Sequence, residues 1–281
     1  MENSQYLCSR KKNRRKMNRL ENLKSILRYL MADEHVSYRM PATTAECQRM
    51  MRALSNVWEP REIAADFLAI QDAELQQQAV DKGVVTLEEI AEASRLHSTV
   101  RPSLLLWQGD ITRLKADAIV NAANAQGLGC WAPLHSCIDN CIHSAAGIQL
   151  RKECNDLLHG RLLKTGEAMM TKGYNLPAGH VIHTVGPIID TGMPTKEQEE
   201  QLAKCYRSCL DLAEQAGLES VVFCCISTGV FHFPNERAAE IAVETVKHYP
   251  MQSVKTVVFN VFLDKDYDIY KRLEGVSYGE D

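Results

Sequence analysis

From Pro102 onward, short apolar runs alternate with stretches in which apolar residues recur every three or four positions. Near-continuous apolar strands separated by helical periods belong to a sheet covered on both faces, so the alternation predicts an α/β fold. The expected strands are Ser103–Gln108, Ala118–Asn121, Ala168–Thr171, His180–Thr184, Ser220–Ile226 and Thr256–Phe262. Between them the spacing predicts helices over Ile138–Cys154, over Lys196–Gln215 with a Leu202, Cys205, Cys209, Leu212 stripe, and over Glu236–His248.

Ahead of Pro102 the pattern is helical throughout. Leu20, Leu23, Ile26, Leu27 and Leu30 repeat at the period of a one-faced helix. Thr43-x-x-Glu46 is a capping box, which opens a second helix with Met50, Met51 and Leu54 on its face. A third is expected after Pro60, with Ile63, Phe67, Ile70 and Leu75 inward and Gly83 as its stop, and Thr86-x-x-Glu89 caps a fourth. This segment shows no cluster of reactive groups, and it reads as a packing or lid element. The expected organisation is a basic, disordered tail over 1–19, a helical extension over 20–96 and an α/β domain over 97–281.

Composition narrows the class further. The chain has 281 residues, 45% hydrophobic and 24% charged, the balance of a folded soluble protein. No apolar stretch approaches the ~20 residues of a membrane span. Ten cysteines occur without a signal-peptide pattern, and Cys224-Cys225 lies inside an apolar run, so free thiols in a reducing, cytoplasmic setting are expected. Net charge is -4, yet seven Arg and Lys residues between Arg10 and Arg19 give the tail about +6 and leave the body near about -10. Such a body excludes general nucleic-acid binding; the tail is either solvated or an anionic-partner segment. A monomer is expected.

Two loops at strand ends lead into helices, where open α/β sheets bind ligands and free backbone N–H groups can cradle phosphate. One is Asn121-Ala-Ala-Asn124 with Gly127 and Gly129; the other is Ile226-Ser-Thr-Gly-Val-Phe-His-Phe-Pro234. With Gly109–Thr112, Ile142–Gly147, Thr165–Glu167, Val181–Pro187 and Val257–Leu263, they make residues 103–273 resemble the macrodomain family. The resemblance implies a three-layer α/β/α macrodomain with a mixed central sheet, preceded here by the helical extension. It also implies binding of ADP-ribose and, in many members, its removal from modified proteins.

One departure from the common family pattern is specific. Where most members carry a run of glycines, this chain reads Gly129-Cys-Trp-Ala-Pro-Leu-His-Ser-Cys137. Cys130, His135 and Cys137 are two thiols and an imidazole, a ligand set of zinc sites that keep a fourth position open. The insertion resembles the zinc-containing branch of the family, with the metal beside the distal ribose. Cys141 and His143 could compete as ligands, but their place in the following helix makes them structural.

The resemblance implies roles for the remaining site residues. Asp110 would accept from the adenine amino group, with Ile111 beside it and Phe262 facing the base. Asn124 would hold the distal ribose. Ser227, Thr228, Gly229, Val230 and Phe231 would wrap the pyrophosphate, with the Phe231 ring over the ribose and His232 closing on the ligand. Asp139 matches the acidic position of the catalytic loop, although a carboxylate also suits the first turn of a helix. The expected function is a zinc-dependent hydrolase that removes mono-ADP-ribose from protein side chains, with a carboxylate-linked adduct preferred. A non-catalytic ADP-ribose reader and a deacylase of O-acyl-ADP-ribose are the alternatives.

Overall fold

The computed structural model describes residues 19–32, 39–94, 102–190 and 192–273. Helix α1 spans residues 19–30, with Leu23, Ile26 and Leu27 fully buried. Helix α2 (Thr44–Asn56) starts at the expected capping box, in which Thr43 and Glu46 satisfy each other's backbone N–H groups. Helix α3 (Ala65–Lys82) stops at Gly83, and a second capping box at Thr86 and Glu89 opens α4 (Leu87–Ala93). The expected tail falls outside the described residues except for Arg19, whose guanidinium bonds both carboxylate oxygens of Glu74 at 2.8 and 2.9 Å.

The sheet comprises β2 (Ser103–Gln108), β4 (Ala118–Ala122), β5 (Ala168–Lys172), β6 (His180–Thr184), β7 (Ser220–Phe223) and β8 (Thr256–Val261), in the order β2-β8-β7-β4-β6-β5. Every pairing is parallel except β5 with β6, so the sheet is mixed as expected. The central strands are almost wholly apolar and buried, as strands covered on both faces must be. Helices α5 (Ile138–Ala146) and α6 (Ile148–Leu158) pack together, as do α7 (Lys196–Gln215), α8 (Asn235–His248) and α9 (Asp264–Lys271). Strands β1 (Val85–Thr86) and β3 (Leu114–Lys115) form a small parallel pair that the hydrophobic pattern does not announce.

Two expected elements differ. The helix expected over Ile138–Cys154 is broken at Gly147, whose φ is +102° and where a Cβ would lie 2.8 Å from Gln71 Nε2 and 2.6 Å from Gln149 Oε1. A side chain at this position would therefore meet the Gln71–Gln149 pair that joins the extension to α6. The strand expected over Ser220–Ile226 ends at Phe223, because the chain turns out of the sheet to begin the 224–234 loop.

The extension docks on α5 and α6. Ile148 completes the cluster of Leu23, Leu27, Met51, Trp58 and Phe67, while Gln71 and Gln149 bond across the seam at 2.6 Å.

Candidate active site and metal centre

Strands β4 and β7 are neighbours whose following segments diverge, β4 leading to α5 and β7 to α8, which opens a crevice at their carboxyl ends. The loop after β4 carries Asn124, Cys130, His135 and Cys137 into this region. Gly129 must be glycine here: its φ is +82°, and a Cβ would meet the His143 ring at 2.8 Å. The side chain of Cys137 then caps α5, accepting from the Asn140 N–H at 3.4 Å.

The three expected metal-ligating atoms come together. Those of Cys130, His135 and Cys137 all lie within 4.8 Å of one another, with Cys130 Sγ 3.7 Å from His135 Nδ1. Tetrahedral zinc with bonds of ~2.0–2.3 Å spaces its ligands by ~3.3–3.8 Å, so a small closure suits the donor set. Burial, with neighbouring Cys130, pushes the Cys137 thiol up to about 12, so a cation beside this sulfur is the natural means of holding it as a thiolate. Cys141 lies elsewhere, its Sγ 3.6 Å from Arg52 Nη2.

His143 belongs to a second, wholly buried group with Cys154 and His183. Within it His183 Nδ1 meets Asn121 Nδ2 at 3.1 Å and Nε2 meets Thr171 Oγ1 at 3.0 Å. Burial drives the Cys154 thiol upward and His183 down to about 3, which keeps both neutral. The His143 ring stands beside this bonded set without joining it: both its nitrogens are buried with no hydrogen-bond partner, and Nε2 lies 3.6 Å from Asp139 Oδ1.

Asp139, buried in the first turn of α5, accepts from Asn121 Nδ2 at 2.7 Å and from Asn124 Nδ2 at 3.4 Å. Its burial raises the carboxyl to about 6, opposed by the Asn121 bond and the charge of Arg151. Asn124 also spans its own loop, donating to Gly129 O at 3.1 Å and accepting from the N–H groups of Gln126 and Gly127.

At the end of β2, Asp110 Oδ1 accepts from the Thr112 N–H at 3.0 Å and from Thr112 Oγ1 at 2.6 Å. Its Oδ2 meets Lys82 Nζ of α3 at 3.1 Å. Burial raises the Asp110 carboxyl, but the Thr112 bonds and the Lys82 charge outweigh it and leave the group below its usual range. Ile111 is buried beneath this turn, whereas Phe262, just beyond β8, is 72% exposed and free to cover a flat ring. A cavity of about 230 Å³ runs behind Asp110 between α3 and α5, lined among others by Arg52, Gln78, Lys82 and Ser144.

The 226–234 loop closes on itself through Phe233 N–H to Ser227 O at 3.0 Å and His232 N–H to Gly229 O at 3.1 Å. Ser227 and His232 hold positive φ, 66° and 58°. Among the described residues the backbone N–H groups of Gly229, Val230 and Phe231 have no protein acceptor, and Val230 is exposed at the loop tip. The Ser227 hydroxyl is buried without a partner. Phe231 is half-buried and packs on the core's edge, while His232 is exposed.

Lys82, Arg52 and Asn56 of the extension also reach this region, and sequence reasoning missed them. Their partners lie 28 to 88 positions away. The one available signal was polar residues interrupting otherwise apolar helix faces.

A mixed sheet between helical layers, with a loop of free backbone N–H groups and an acidic strand end, defines an α/β/α protein with a crevice at the carboxyl ends of its strands. The family model described as Macro domain matches residues 120–242. The protein named Protein-ADP-ribose hydrolase from Staphylococcus aureus strain MSSA476 is 44% identical over 265 residues, covering 91% of this chain and 97% of its own. One of the same name from Treponema medium is 42% identical over 254 residues, 88% and 96% of the two chains. The Oceanobacillus iheyensis macrodomain with ADP aligns with a TM-score of 0.56 at 40% identity, covering 62% of this chain and 91% of that one. The Trypanosoma brucei macrodomain in complex with ADP-ribose aligns at 0.58 and 30% identity, covering 80% and 94%. The chain belongs to the macrodomain family.

Proposed function

We propose that this protein is a hydrolase that releases ADP-ribose from mono-ADP-ribosylated proteins, and that it does so with zinc. Similarity to relatives named Protein-ADP-ribose hydrolase along nearly their whole length supports the reaction. The convergence of Cys130, His135 and Cys137 in one loop is the observation that carries zinc.

In this reading Asp110 accepts from the adenine amino group while Ile111 and Phe262 enclose the base. The loop from Ser227 and Thr228 through Gly229, Val230 and Phe231 faces the pyrophosphate, where the unpaired N–H groups of Gly229, Val230 and Phe231 suit anionic oxygens and the Thr228 N–H has only a long 3.5 Å bond to Cys225 O to give up. The Phe231 ring covers the distal ribose and His232 flanks it. Asn124 orients the ribose hydroxyls, exchanging its contact with Gly129 for the ligand. Asp139, fixed by Asn121, orients a water or takes its proton. Cys130, His135 and Cys137 would hold zinc, which supplies Lewis acidity beside the scissile linkage. A carboxylate ester is the preferred linkage, because its leaving group requires the least assistance.

The test is release of ADP-ribose from mono-ADP-ribosylated proteins of defined linkage and from O-acyl-ADP-ribose. The wild-type protein should turn over the carboxylate-linked substrate, and Cys137→Ala should bind ADP-ribose without turnover. Binding without turnover in the wild type would make it a reader, and turnover confined to O-acyl-ADP-ribose would make it a deacylase.

A further inference from the structure

The extension does more than cover α5 and α6. Leu134, between Cys130 and His135, holds a φ of +61°, a left-handed backbone that a non-glycine residue keeps only where its surroundings impose it. The imposing group is Asn56 at the end of α2. It is 1% exposed, its Oδ1 accepts the Leu134 N–H at 2.9 Å, and its Nδ2 donates to Ser144 Oγ at 3.0 Å. One helical turn earlier, Arg52 Nη2 donates to the carbonyl of His135 at 2.8 Å. The same guanidinium holds Asn140 Oδ1 at 2.8 and 3.2 Å, and Asn140 Nδ2 in turn donates to Ala132 O at 2.9 Å. At the loop's other end the Trp131 ring lies 4.1 Å from the Arg151 guanidinium, itself tied to the carbonyls of Asn56 and Trp58.

We infer that Arg52 and Asn56 are positioning residues for the metal: α2 presets the 130–137 backbone so that the two thiols and the imidazole converge before any ion arrives. The helical extension is thereby part of the metal centre, although it contributes no ligand. This rests on the zinc reading above. Groups that orient metal ligands from behind typically account for ten- to hundredfold in metal affinity.

The experiment strips the full-length protein of metal and titrates it with zinc alone, in competition with a chromogenic chelator. Melting temperatures of the metal-free proteins are measured in parallel. Asn56→Ala should raise the zinc dissociation constant about ten- to hundredfold and Arg52→Gln by about tenfold. Gln71→Ala removes docking bonds of the extension to Gln149 and Ile148 but touches neither the loop nor Asn140, and should bind zinc like the wild type even if it melts earlier. Wild-type affinity in both α2 variants would overturn the inference, as would an equal loss in Gln71→Ala. Should Asn56→Ala not fold, Arg52→Gln decides, because Arg52 is only half-buried. A wild-type protein with no zinc affinity would overturn the metal reading and this inference with it.

Discussion

Asp110 shows how one carboxylate can shape the fold and still keep an acceptor for a ligand. Oδ1 is consumed by Thr112, which shapes the turn after β2, whereas Oδ2 faces Lys82 and retains a lone pair for a further donor. Asp110→Ala should weaken binding of free ADP-ribose by about 1–3 kcal/mol, the scale of a hydrogen bond to a charged group. Calorimetry reads this, and unchanged affinity would mean that the base binds elsewhere. The Lys82 ammonium stays half-exposed after the substitution, so loss of that ion pair costs little, whereas the buried Thr112 loses its acceptor and the turn should be destabilised by about 1–2 kcal/mol. At this scale the sequence was legible where chemistry is local. Cys130, His135 and Cys137 fall within eight positions, so their spacing alone anticipates the convergence of the three atoms. Asn56 and Lys82 act across tertiary contacts, and their roles exist only after docking.

At the scale of elements, local rules placed most boundaries. The two Thr-x-x-Glu capping boxes start α2 and α4 where expected, and β2, β6 and α7 have the expected limits. The break at Gly147 was not legible, because apolar periodicity runs through it and a single glycine does not disclose the φ of +102° it adopts there. The C-terminal helix α9 was missed for a related reason: its mostly polar sequence buries only Asp266 and Tyr270. Tyr270 packs on Phe259 at 5.2 Å, a contact that helical periodicity cannot reveal. The apolar stripes of α1 to α3 did indicate docking. Deleting residues 1–96 should therefore lower the melting temperature, by about 2–4 °C for each kcal/mol of lost interface in a domain this size. It would strip Arg151 of its carbonyl acceptors and expose Ile148. An unchanged melting temperature in calorimetry would contradict docking as a source of stability.

Across the whole molecule, the sheet spaces the groups proposed for binding away from those proposed for chemistry. Asp110 and Phe262 stand beyond the adjacent ends of β2 and β8, the 226–234 loop follows β7, and the Cys130, His135, Cys137 group follows β4. Most binding free energy should therefore reside away from the metal, while turnover depends on it. Among the described residues no helix is long and apolar enough to cross a membrane, and all nine described cysteines are unpaired, which leaves the ligand thiols available. The central claim is that zinc serves the reaction more than the grip on ADP-ribose. A single chelator titration, with ADP-ribose affinity and hydrolytic turnover read in parallel on the same full-length protein, tests it most directly. The account predicts that turnover disappears as zinc is withdrawn while most ADP-ribose affinity remains. Turnover that persists in metal-free protein, or turnover and affinity that fall together, would contradict it.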